Sequence, residues 1–270
     1  MKNRRLKPAV KYTLYALTAL LAATVIYFCM PPFHKEPVKA VSHIQLPYPK
    51  ENYLQKKPEE KTDEFDPQWT NEDFRHYYDI NNDYLCQIRF ESGIIDLPVV
   101  QGYDNYVYLD LNFETKSYDI MGTVYMDVDA NPDSENITLY GHYCYPEIDP
   151  EQIQMFTPLH ILKEQENYED NKYIDLLFED EARRYEIASV YYCPLIDNSY
   201  TPDNLMYYVT EFSPEYFAQY KPAVEEQQFY DTGVDYSKED FLLTLQTCVE
   251  NHNELRLIVI AKETERKNID

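Results

Sequence analysis

Two strand-like runs near the C-terminus set the tightest limit on what this chain can fold into. Residues 241–248 set leucines against threonines up to Cys248, and residues 255–262 are aliphatic and β-branched around Arg256. The gap between them holds Glu250, Asn251, His252, Asn253 and Glu254. A short polar gap between two such runs predicts neighbouring antiparallel strands. Paired strands lie about 4.8 Å apart, so Cys248 at the end of one and Arg256 at the start of the next would reach a single bound carbonyl.

A thiol at that position needs a base. The candidate is His142, which ends the apolar strand-like stretch 136–142 directly after Gly141. A free thiol titrates near about 8.5 and is only a few per cent thiolate at neutral pH, so it gains from a cation beside it. An imidazole can give a leaving amine its proton and accept one back. Arginine is permanently charged and offers a rigid fork of donors, which suits it to holding carbonyl oxygens or an oxyanion. His142, Cys248 and Arg256 are therefore the predicted catalytic residues.

Leu139-Tyr140-Gly141-His142, Thr244-Leu245-Gln246-Thr247-Cys248 about a hundred residues later, and Arg256 on the following strand together resemble the sortase family of cysteine transpeptidases. Asp96-Leu97-Pro98-Val99-Val100-Gln101, Gly122-Thr123-Val124-Tyr125-Met126-Asp127 and Met155-Phe156-Thr157-Pro158-Leu159 narrow the resemblance to class B. It spans roughly residues 73–262. The chain departs from the class at Tyr143, where Asn is common, and at Val249, where Asp is common. The resemblance implies a mainly β fold: a sortase-type closed β-barrel of about eight strands, with N-terminal helices and a helix before the cysteine strand.

It also implies an activity. Cys248 would attack the carbonyl after threonine in a Pro-x-Thr sorting signal of the Asn-Pro-x-Thr kind, form a thioacyl enzyme, and pass the acyl group to an amine of a peptidoglycan precursor. No cofactor and no metal are implied. Thr247, Leu245 and Tyr143 are candidate substrate or oxyanion contacts. A pilus-assembling sortase, whose acceptor is a pilin lysine, and an inactive anchored binding module are the alternatives.

The N-terminal part carries no such chemistry. Residues 1–11 hold Lys2, Arg4, Arg5, Lys7 and Lys11 with no acid, and residues 12–30 run without a charge. Nineteen apolar residues at 1.5 Å each span a hydrocarbon core of about 30 Å, and the basic flank keeps the N-terminus cytoplasmic. The expected organisation is a cytoplasmic tail (1–11), a single-pass transmembrane signal-anchor (12–30), an extracellular stalk rich in Pro, Lys and Glu (31–70) and the catalytic domain (71–270). A stalk of that composition buries too little apolar surface to offset its ordering entropy.

Charge excludes one class of partner. All 48 acidic residues follow residue 30, against 19 basic ones, a net −29. Nucleic-acid binding needs a basic face, so no nucleic-acid partner is expected.

The remaining special residues are read as structural. Outside the anchor stand Cys86, Cys144, Cys193 and Cys248. Cys86 and Cys193 are expected as buried thiols. Cys144, two residues past His142, is the candidate redox partner of Cys248. His34, His43, His76, His160 and His252 are read as structural or solvent-exposed. A metal site from His142, Cys144 and Cys248 or His252 lacks paired ligand spacing.

Overall fold

The computed structural model describes residues 65–144, 155–194, 209–250 and 252–269. Eight strands close into a barrel: β1 (Tyr84–Phe90), β2 (Asp96–Val100), β3 (Val124–Met126), β4 (Asn136–Tyr140), β5 (Tyr173–Leu177), β6 (Glu181–Pro194), β7 (Leu242–Val249) and β8 (His252–Asn268). Their order around the barrel is β1-β2-β3-β4-β7-β8-β6-β5, and β5 closes on β1. The pairs β2–β3 and β4–β7 are parallel. The other pairs are antiparallel.

The two-residue side-chain period sorts each wall strand into an inner and an outer face. Ile137 and Leu139 of β4, Leu243, Leu245 and Val249 of β7, and Leu257, Val259 and Ala261 of β8 join the interior cluster. Leu242, Ile258 and Ile260 lie in a second cluster on the outer wall. Helix α2 (Pro214–Gln227) contributes Phe217, Tyr220 and Val224 to it. Strands covered on both faces can afford no polar stripe, which is why the C-terminal runs are so apolar. Helix α2 starts where Ser213 accepts a hydrogen bond from the Tyr216 amide at 3.1 Å, with Pro214 in the first turn.

One N-terminal helix, α1 (Asn71–Ile80), is present among the described residues. Its cap is Thr70: the hydroxyl accepts from the Asp73 amide at 3.2 Å while the Asp73 carboxylate takes the Thr70 amide at 2.9 Å. This reciprocal box satisfies two donors the helix leaves unpaired.

Residues Thr157–Lys163 form a 3₁₀ turn. Leu159 and Leu162, three apart, are both fully buried, and the three-residue period of a 3₁₀ turn puts both on one face. Pro98 marks neither an edge nor a bulge: β2 is hydrogen-bonded on both sides, and the irregularity falls on β1 between Tyr84 and Cys86. Strand β8 continues past residue 262 to Asn268, paired with β6. No helix of the described residues is long and apolar enough to cross a membrane. The expected anchor and almost all of the expected stalk lie outside those residues.

One buried charge contributes to the frame. Arg183 is 1% exposed, and its Nε donates to Glu181 Oε1 at 2.7 Å while Nη1 donates to the Pro132 carbonyl. Its guanidinium also lies 4.9 Å from the Phe178 ring. Removing one partner of a buried pair leaves the other unsatisfied, so Arg183→Ala is expected to destabilise the domain by about 3 kcal/mol. Urea unfolding is the check, and a midpoint equal to that of the unmodified protein would refute a structural role.

Candidate active site

Strand order places the three predicted catalytic residues on neighbouring stretches of chain. On the parallel pair β4–β7, Tyr140 stands opposite Gln246, and the Gly141 amide donates to the Gln246 carbonyl at 3.2 Å. Two residues further along each chain are His142 and Cys248. On the other side of β7, Cys248 is paired with Arg256 of β8. The order β4-β7-β8 thus places Cys248 and Arg256 on paired strands about 4.8 Å apart, with His142 two residues past the end of β4 on the other side of β7. Alternation puts Cys248 and Arg256 opposite in facing to Val249 and Leu257, hence on the outer wall of the barrel and out of its packed interior.

Each member is seated by its neighbours. His142 Nε2 lies 2.6 Å from the Leu109 carbonyl. A carbonyl only accepts, so Nε2 carries the proton and Nδ1 is the nitrogen left for proton transfer. Two glycines make room for this. At Gly122, φ is +59°, and a Cβ there would come within 2.3 Å of the Leu109 oxygen that holds His142. At Gly141 a Cβ would meet the buried Phe156 ring at 2.6 Å.

Cys248 is half-buried and unoxidised. Arg256 Nη1 donates to the Leu255 carbonyl at 2.8 Å. Beside them Tyr125 and Tyr140 pack with ring centroids 5.2 Å apart, and the Tyr140 hydroxyl donates to Asp127 at 2.5 Å. Burial, and then the charges of Asp127 and Cys248, push the Tyr125 hydroxyl well above the usual tyrosine range, so it stays a neutral phenol beside the thiol.

The other predicted contacts divide. Leu245 and Thr247 are fully buried, and Leu245 belongs to the barrel core, so their side chains do not line the outer wall. Alternation turns both side chains inward, which leaves their backbone alone for any contact with substrate or oxyanion. Tyr143 does lie at the site: its hydroxyl donates to Glu250 Oε2 at 3.1 Å. Cys144, the candidate redox partner, is buried and carries no disulfide. Burial pushes its thiol up to about 11, opposed by a hydrogen bond to Thr157 and reinforced by Asp119 and Cys248. Cys86 and Cys193 are buried free thiols, as their apolar settings suggested.

Sequence reasoning missed His160. Its Nε2 lies 3.0 Å from the carbonyl of Cys248, and its ring centroid is 4.7 Å from that of Tyr143. An isolated histidine in an apolar stretch carries no spacing that marks it, so no sequence signal separated it from the other structural histidines.

A half-buried thiol paired across strands with an arginine on the outer wall of a closed eight-stranded barrel fits a cysteine acyl-transfer enzyme. No family model matches the chain. It is 27% identical to sortase B of Staphylococcus aureus over 190 residues, covering 68% of this chain and 71% of that protein. The X-ray structure of Clostridium perfringens sortase B is 32% identical with a TM-score of 0.59, covering 71% of this chain and 99% of that one. The Staphylococcus aureus sortase B–substrate complex is 25% identical with a TM-score of 0.62, covering 73% of this chain and 87% of that one. The chain belongs to the sortase family, alongside the class B sortases, and is a cysteine transpeptidase.

Proposed function

We propose that this transpeptidase is anchored by residues 12–30 in the cytoplasmic membrane, holds its catalytic domain outside, cleaves a Pro-x-Thr sorting signal and joins the surface protein to a cell-wall amine. The observation that carries the reading is the register pairing of Cys248 with Arg256, with His142 two residues past the last β4–β7 pair. A sortase B of the same fold is known in complex with its substrate, which supports a substrate-binding role for this chain.

The chemistry runs in two halves. Cys248 passes its proton to His142 Nδ1, and its sulfur attacks the threonine carbonyl carbon. Arg256, one strand away, neutralises the oxyanion that forms. As the C–N bond breaks, the imidazolium returns its proton to the departing amine and a thioester remains. The acceptor amine then attacks that carbonyl and gives its proton to His142, and the Cys248 sulfur leaves. No step needs an external oxidant, metal or cofactor, since protons and electron pairs balance among the three side chains and two amines.

The acidic exterior agrees with an acceptor that arrives as a cation, because a negative surface raises the local concentration of positively charged groups. The test is a panel of fluorogenic peptides bearing Pro-x-Thr motifs, assayed with the purified full chain and a small amine acceptor. Cleavage after threonine with transfer to the amine is expected. A folded protein that cuts none of the panel would sink the reading.

A further inference from the structure

Pairing between β7 and β8 breaks at the nucleophile. Cys248 is in register with Arg256, but the next pair is Val249 with His252, so the ladder slips between Cys248 and Val249. The extra residues fall on β8, between His252 and Arg256. On its other side β7 outruns its partner: β4 ends at Tyr140, the Gly141 amide donates to the Gln246 carbonyl, and the next carbonyl on that edge, two residues on, is that of Cys248. That carbonyl faces His160 Nε2 at 3.0 Å, and because it only accepts, the imidazole donates.

His160 is in turn gripped on both sides. Its backbone belongs to the 3₁₀ turn Thr157–Lys163, fixed to the barrel by the fully buried Leu159 and Leu162. That turn is tied to the catalytic histidine's own segment, since the Phe156 amide donates to the His142 carbonyl at 3.0 Å. Across its face lies the Tyr143 ring, tilted by 56°, and the Tyr143 hydroxyl reaches Glu250, two residues past Cys248. Tyr143, His160 and Glu250 thus form a clasp that joins the chain just after His142 to the chain just after Cys248.

We propose that His160 is a positioning residue for the transpeptidation: by holding the Cys248 carbonyl within this clasp it fixes the peptide plane where β7 outruns β4, and with it the placement of the Cys248 sulfur against His142 and Arg256. The inference rests on the reading of Cys248 as the nucleophile. His160 acts through the backbone of Cys248 and exchanges no proton with substrate. Burial lowers its pKa, and Lys163 adds to that, while the bond to the Cys248 carbonyl and the nearby Glu250 oppose it. The ring is therefore a neutral donor at neutral pH, and protonation would leave the Nε2 donor in place.

The experiment compares His160→Phe, which keeps a ring and loses the donor, with His160→Gln, whose amide nitrogen reaches about as far as Nε2. Two readouts are taken on the full chain. One is the rate of thioacyl formation with a cleavable Pro-x-Thr peptide. The other is the pH dependence of Cys248 alkylation by iodoacetamide, followed on the Cys248 peptide by mass spectrometry, which needs no substrate. Misplacing a reacting atom by about 1 Å costs up to about 10²-fold, so His160→Phe is expected to slow acylation by about ten- to a hundredfold with KM nearly unchanged, and to shift the alkylation profile. His160→Gln should recover most of the rate and the original profile.

Acylation by His160→Phe at the unmodified rate, or equal impairment in Phe and Gln variants of unchanged melting temperature, would overturn the proposal. Should His160→Phe fail to fold, Glu250→Ala decides: slower acylation at an unshifted melting temperature supports the clasp, and a full rate removes it. If the unmodified enzyme acylates on no peptide, the sorting-signal reading fails. The alkylation profiles then decide the positioning role alone.

Discussion

Cys248→Ala is expected to abolish the thioacyl intermediate altogether. Of the four thiols among the described residues, Cys248 is the one that is not buried. The others are poor substitutes: burial pushes the Cys144 thiol up to about 11 and raises that of Cys86 further, so neither supplies thiolate at neutral pH. Intact-mass spectra of the enzyme with peptide should show the acyl adduct in the unmodified protein and none in the variant. Removing one half-buried sulfur costs little stability, on the order of 1 kcal/mol or less, so the variant should remain folded. An adduct on the alanine variant would move the nucleophile elsewhere and undo the assignment.

The second large effect is expected at His142. On the proposed mechanism the same imidazole serves both half-reactions, first as acid to the leaving amine and then as base to the incoming one. Its loss should therefore slow acylation and transfer alike, by roughly 10² to 10⁴. Because His142 Nε2 is held by a backbone carbonyl, its contribution falls on turnover more than on peptide binding, and KM should move little. Stopped-flow acylation together with steady-state transfer would separate the halves. An effect confined to transfer would show that some other group protonates the leaving amine.

Much of this was legible in the sequence because side-chain pattern carried it. The closed barrel and the helix before the cysteine strand follow from the motifs, and α1 starts where a polar Thr70 precedes Glu72 and Asp73, a capping pattern written in residue type. The Cys248–Arg256 pairing followed from two apolar runs with too short a gap to permit anything but a hairpin. What escaped was set by contacts that leave no mark on composition. The far half of β8 carries Glu263, Glu265, Arg266 and Lys267, charged residues that read as a tail and stand in a strand because β6 pairs with them. The seat of His142 is a backbone oxygen, and any residue type supplies one. His160 escaped for the same reason, since it meets Cys248 through a carbonyl. Leu245 and Thr247 lie within the cysteine motif, yet strand alternation turns both away from the outer wall.

The parallel pairing of β4 with β7 has a consequence for how this enzyme comes into being. It joins segments such as Asn136 and Thr244, whose side chains hydrogen-bond at 2.8 Å across 108 residues of chain. Contacts that distant must meet the whole cost of loop closure before any gain, so they form late and slowly. His142 and Cys248 stand just beyond the end of that seam, on its two sides. On the proposed mechanism a half-made barrel lacks the pair, so the nascent chain transfers no acyl group until the seam has closed.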